Sequence, residues 1–263
     1  MNIILRELKA NRKALIIWSV CMLLGVASGM AKYTAYSAGG QSAEIFQKMP
    51  FSLKALLGMG SFDVTLMSGY FAMLFLYIEI AAAIHAVLLG ANIIAKEERD
   101  KTTEFLICKP VSRTAIISSK LLAAFINILI VNVVTLVSSI VLTAVYNKGA
   151  DISGEIGMFI LSLLIVQLIF LSLGAMLAAL LWNPKASGSL AAGIMMAAFV
   201  ISKVTDLTSL NFLNLLSPFK YFNYNDIVEG KGLNFGIVIL SLLLSAGFFG
   251  LTYFFYRKRD LNV

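Results

Sequence analysis

The chain has 263 residues, of which 59% are hydrophobic and only 13% charged. A soluble domain of ordinary composition carries about 25% charged residues, so this sequence is too poor in charge to clothe a water-facing surface, and lipid is the solvent it implies. The net charge of +7 does not point to nucleic acid, because the basic residues flank apolar runs instead of gathering on one soluble face.

Crossing a hydrocarbon core of about 30 Å takes roughly 20 apolar residues as helix, and only helices or closed barrels satisfy their backbone groups there. The apolar runs are continuous and not alternating, so helices are predicted, with spans near 14–31, 70–94, 121–146, 157–181, 187–203 and 235–256. The longest stretches outside them are 32–68, 96–120 and 203–234, too short for an independent catalytic domain. The fold class is all-α: a polytopic membrane protein with six transmembrane helices in one domain over 1–263.

Before the first span, Ile4, Leu5 and Leu8 share a helical face against Arg6, Glu7, Lys9, Arg12 and Lys13. The pattern suits an N-terminal interfacial amphipathic helix, and also a plain basic anchor. The first run is longer than the roughly 7–15 residues of a cleaved signal core, so it is expected to remain as a span. The second span contains Glu79 and His85. Ionisable groups at membrane depth are costly and face a bundle interior or a cavity, which makes both candidates for a translocation path. An interhelical hydrogen bond is the plainer role.

The segment from Lys96 to Lys120 is the most distinctive. It starts with dense mixed charge, turns apolar at Phe105, Leu106 and Ile107, and meets a helix breaker at Pro110. Ser112 is placed to cap the helix entering the third span. A short cytoplasmic helix carrying exposed apolar residues must bury them against the membrane surface or a partner protein. In the third and fourth spans, Asn127, Asn132 and Gln167 are expected to glue helices together. The fourth and fifth spans are divided by Trp182-Asn183-Pro184-Lys185, which reads as a tight hairpin because Asn183 before proline is turned away from helix. Small residues four apart (Gly174 and Ala178, Ala175 and Ala179, Ser189 and Gly193, Ala246 and Gly250) would permit close helix approach. The aromatics of 204–234, namely Phe212, Phe219, Tyr221, Phe222 and Tyr224, read as an interfacial belt.

Lysine and arginine set the orientation. The N-terminal arm, the 96–120 loop, the 182–186 turn and the tail together hold 14, against seven in the longer intervening segments. The positive-inside rule then puts both termini in the cytoplasm, and an even number of spans agrees. The sequence contains no Gly-x-x-x-x-Gly-Lys-Ser/Thr loop to cradle phosphates. One histidine and two cysteines leave no multi-His metal site and no disulfide framework. No cofactor, metal or catalytic residue is expected in this chain.

Glu97-Glu98-Arg99, then Asp100-Lys101-Thr102-Thr103-Glu104-Phe105-Leu106, then Lys109-Pro110-Val111-Ser112-Arg113 and Lys120 resemble the first cytoplasmic loop of ABC-2 type permeases. That pattern is an acidic run, a Gly-Thr or Lys-Thr pair, Glu-Phe-Leu-Leu, Lys-Pro-Val-Ser-Arg and a later lysine. This chain has Lys101 where glycine is commoner and polar Thr103 where an aliphatic residue is usual. Ser217-Pro218-Phe219, the ending Arg259-Asp260-Leu261, and Pro50, Leu56 and Gly58 are similar to further pieces of the family. The resemblance implies a permease subunit of an ATP-driven exporter in a bacterial plasma membrane. Two permease copies, as a homodimer or heterodimer, would work with two ABC ATPase subunits that hold the ATP and Mg. The loop would contain a coupling helix docked on the ATPase through Glu98, Thr102, Glu104, Phe105, Leu106, Lys109, Pro110 and Arg113, with Phe105 and Leu106 as buried anchors. An amphipathic or lipophilic cargo (a peptide, an antimicrobial or a lipid-linked molecule) would move by alternating access. In larger members a stretch comparable to 204–234 folds partly back into the membrane. Two other classes compete. A gradient-driven secondary transporter would carry inverted repeats, and none is evident between 1–131 and 132–263. A membrane anchor or sensor would not need so elaborate a loop at 96–120.

Overall fold

The computed structural model describes residues 3–37, 49–58, 62–102, 111–147, 149, 151–208 and 211–258. Their elements are α1 (Ile3–Met30), α2 (Tyr33–Ser37), α3 (Phe51–Leu56), α4 (Met67–Arg99), α5 (Arg113–Tyr146), α6 (Ser153–Leu180) and α7 (Pro184–Leu207). Two 3-10 turns (Asn211–Leu216 and Pro218–Lys220), α8 (Tyr224–Val228) and α9 (Phe235–Lys258) follow. No strand occurs among the described residues. Six of these helices, α1, α4, α5, α6, α7 and α9, are long and apolar enough to cross a membrane. The shortest have 24 residues, or about 36 Å of helix, which exceeds the apolar core of a bilayer.

The helices overrun the apolar runs that predict them. α4 continues past 94 to Arg99, and α5 begins at Arg113, well before 121. Both extensions are charged, and each is stabilised by ion pairs described below. The N-terminal arm also differs from expectation. It is not a separate interfacial helix, because α1 runs unbroken from Ile3 to Met30. Glu7, on the polar side of the expected helix, is fully buried.

The local stop and start signals act as their chemistry requires. The Ser112 hydroxyl accepts from the Ala115 N–H at 3.2 Å and caps α5. Asn183 accepts from the Lys185 N–H at 3.0 Å, and Pro184 takes the first turn of α7, where its missing N–H costs nothing. Ahead of α4, the Thr65 hydroxyl donates to Asp63 at 2.6 Å and its N–H at 2.9 Å. These two bonds hold the Asp63 carboxyl below its usual range.

α4 and α6 form the centre: 72% of the most apolar stretch of each is buried, against 17% in α1 and α9. α1 lies along α5, α7 lies against α4, and α9 lies against α6. The outer faces carry Ile16, Val20 and Leu24 on α1 and Val133, Val137 and Val141 on α5, the chemistry of lipid contact. α4 and α6 approach closely because each has glycine at the crossing. A Cβ on Gly90 would strike the Leu171 carbonyl, and one on Gly174 would strike the Val87 carbonyl. Beside this crossing Asn132 hydrogen-bonds Gln167, whose amide donates to the Ala82 carbonyl at 3.3 Å. Three helices are thereby tied through side chains that would be costly if left unpaired in an apolar interior.

Among the described residues, the start of α1, the end of α4, the start of α5 and the end of α9 lie at one end of the bundle. Arg6 and Glu7 touch the last turn of α4, and Arg113 donates to the Arg257 carbonyl at 3.4 Å.

Candidate functional site

Two charged clusters stand at opposite ends of the bundle. At the termini end, Lys120 has no exposed surface. Its ammonium pairs with Glu97 and donates to the Ile93 carbonyl at 2.7 Å. Arg6 lies 3.3 Å from Glu97 and 3.2 Å from Glu7, and Lys96 donates to Glu7 at 2.6 Å. Two buried carboxylates and three cations thus join α1, α4 and α5. A buried charge is tolerable only when paired and hydrogen-bonded, and every member here is both.

This cluster frames the 100–112 connection. α4 ends in a Schellman closure: the Thr102 N–H bonds the Glu97 carbonyl at 2.8 Å and the Lys101 N–H bonds Glu98 at 3.3 Å. Lys101 therefore sits at φ 55°, the left-handed region that glycine enters without a Cβ penalty. This explains why glycine is the commoner residue of the pattern at this place. Lys101→Gly is expected to raise stability by about 1 kcal/mol, read as a higher unfolding midpoint in detergent. An unchanged or lower midpoint would rule out a strained helix stop. Of the candidate coupling residues, Glu98 is half-buried at this stop, and Thr102 and Arg113 are exposed on either side of the connection. Glu104, Phe105, Leu106, Lys109 and Pro110 lie outside the described residues.

At the far end, the segment after α7 folds back into the bundle. Ser217 donates to the Ala198 carbonyl at 2.8 Å. The Phe219 ring lies 5.2 Å from Phe170 and 5.6 Å from Phe199. Tyr224 packs edge-on to Phe75 at 5.4 Å and Phe159 at 5.7 Å, and its hydroxyl donates to Glu79. The expected interfacial belt is therefore corrected. Phe212 is exposed, but Phe219 and Phe222 are each 5% exposed. They fill space between helices because the segment carries its own 3-10 turns inward.

A cavity of about 430 Å³ opens where this segment meets α3, α4 and α7. Lys203, Asp206 and Lys220 line one side. Both lysines pair with Asp206, Lys203 at 3.1 Å. Glu79 and His85 are both buried, and neither lines this cavity. Glu79 is closed off by Tyr224. His85 faces α1, 5.2 Å from the Trp18 ring, with Nδ1 unpartnered.

The sequence matches, over residues 1–261, the family described as ABC-2 family transporter protein. The chain belongs to the ABC-2 transporter family. No curated protein matches it. As an ABC-2 permease it is a multi-pass membrane subunit of an ABC exporter, and the family implies an ABC ATPase as its partner.

For this permease, sequence reasoning singled out the 96–120 segment but missed the cluster at its two ends. Glu97 and Lys120 belong to the loop pattern, yet nothing local says that they pair with each other or that Arg6 and Glu7 join them. The far-end trio of Lys203, Asp206 and Lys220 was also missed. Only the i, i+3 spacing of Lys203 and Asp206 could have signalled it.

Proposed function

We propose that this permease moves an amphipathic or lipophilic cargo by alternating access, as a dimer of permease chains driven by two ATPase subunits that hold ATP and Mg. The termini end faces the cytoplasm of a bacterial cell. It carries the basic excess of the sequence, as the positive-inside rule requires. The coupling helix lies between α4 and α5 and docks on the ATPase through Phe105 and Leu106. Glu98, Glu104 and Arg113 supply charged contacts to it, with Thr102, Lys109 and Pro110 as the remaining contact residues.

One observation carries this reading. The two ends of the 103–110 stretch are fixed by the Schellman closure and the Ser112 cap, and the buried ion cluster ties them to α1, α4 and α5. A segment mounted this way transmits a push to the bundle instead of absorbing it. The test is co-purification of this chain with its ABC ATPase subunit. Wild type should retain the ATPase, while Phe105→Asp with Leu106→Asp should lose most of it, a fall of about tenfold or more in affinity for two hot-spot anchors. Equal retention by both, or by neither, removes the coupling assignment.

A further inference from the structure

The far-end cavity has a charge pattern that selects its ligand. We infer that it binds an amphipathic molecule bearing one anionic group, a carboxylate or a phosphate, held by Lys203 and Lys220 with its apolar part against Phe62, Leu76 and Phe222. This deepens the permease reading, on which the ligand's role as cargo rests.

Two ammonium groups line the cavity against one carboxylate, Asp206. Asp206 gives one oxygen to each lysine, Oδ2 to Lys203 and Oδ1 to Lys220. Both of its oxygens are therefore engaged, whereas each ammonium has three donors and uses one of them on Asp206. The side chains of Lys203 and Lys220 are 13% and 27% exposed. They are largely out of water, which strengthens a charge-assisted bond to an incoming anion. A cationic ligand would find no unengaged carboxylate, because Asp206 is the only one among the described lining residues and Glu79 lies behind the Tyr224 hydroxyl. The rest of the lining is mixed, with the neutral side chains of Asn214 and Asn223 alongside aromatic and aliphatic carbon. At about 430 Å³ the space falls within the range of roughly 300–1,000 Å³ for small-molecule sites, enough for a head group and the start of a chain.

The experiment uses the full-length chain in phosphatidylcholine nanodiscs and needs no ATPase, so this inference and the coupling assignment can fail separately. A dansyl-labelled undecanoic acid, its methyl ester and the corresponding amine are titrated by fluorescence. The acid should bind about tenfold or more tighter than the ester or the amine. Lys203→Gln with Lys220→Gln should lose that preference, while Asp206→Asn, which releases both ammonium groups, should increase affinity several-fold. Equal binding of acid and ester by wild type overturns the inference, as does preference for the amine. A loss in Asp206→Asn as large as in the double lysine variant also overturns it, since the trio would then be a structural bridge only. Competition identifies the source of the anion. Displacement by phosphatidylglycerol built into the disc indicates a membrane lipid, and displacement only by soluble hexyl phosphate indicates a solute. Displacement by neither counts against the site.

Discussion

Lys120→Met is expected to lower the stability of the permease by about 3–5 kcal/mol, the cost of leaving a buried partner charge uncompensated. Lys120 is inaccessible to solvent, and the Glu97 side chain is only 8% exposed. Without the ammonium, Glu97 keeps one cation, Arg6 at 3.3 Å, which also serves Glu7. The Ile93 carbonyl loses its side-chain donor as well. Methionine fills a similar volume, so the loss is electrostatic and not a cavity. The double variant Lys120→Met with Glu97→Leu removes both charges and should recover much of the loss, because a buried pair often contributes little net stability over an apolar replacement. Unfolding midpoints of the single and double variants in detergent give the coupling energy by a double-mutant cycle. A single variant within about 1 kcal/mol of wild type would mean that water reaches the cluster and that it does not brace the loop.

What was legible in the sequence follows from how local each cause is. Span number and type follow from the thickness of lipid, and the Ser112 cap and the Asn183-Pro184 turn follow from the few residues around them. All three appear as read. The end of α4 is the boundary that dense charge hides, because Lys96–Arg99 reads as loop, whereas the start of α5 at Arg113 is where the Ser112 cap puts it. The charges at the end of α4 continue that helix and are neutralised by residues far along the chain: Lys96 by Glu7, 89 positions away, and Glu79 is bonded by Tyr224, 145 away. Glu79 could be recognised as an unusual residue within a span, but its partner could not, since Tyr224 reads equally well as one more interfacial aromatic. The N-terminal arm failed for a related reason. An amphipathic pattern specifies that one face is polar, and here the polar Glu7 faces other helices and not headgroups. The match across residues 1–261 fixes the family.

Gly174→Ala should cost about 1–3 kcal/mol, the range for overpacking a tight core, although alanine is the better helix former by about 1 kcal/mol. The sign is set by what the new methyl meets. At Gly174 it would strike the Val87 carbonyl and come within 3.0 Å of the Ala91 nitrogen; at Gly90 it would strike the Leu171 carbonyl and come within 3.1 Å of the Ala175 nitrogen. All four are backbone atoms, so no rotamer change gives relief and α4 and α6 must separate. Gly193 and Gly250 provide the control. Both sit in long helices with small-residue spacing like that of Gly174, but nothing lies within 4 Å of a Cβ at either. Gly193→Ala and Gly250→Ala should therefore be neutral or stabilising in the isolated chain, so the same substitution changes sign with the presence of a backbone neighbour. If Gly174→Ala behaves like Gly193→Ala in thermal unfolding, the close α4–α6 crossing is wrong. A loss on Gly193→Ala or Gly250→Ala that appears only when two chains associate would instead place that glycine at the contact between permease copies.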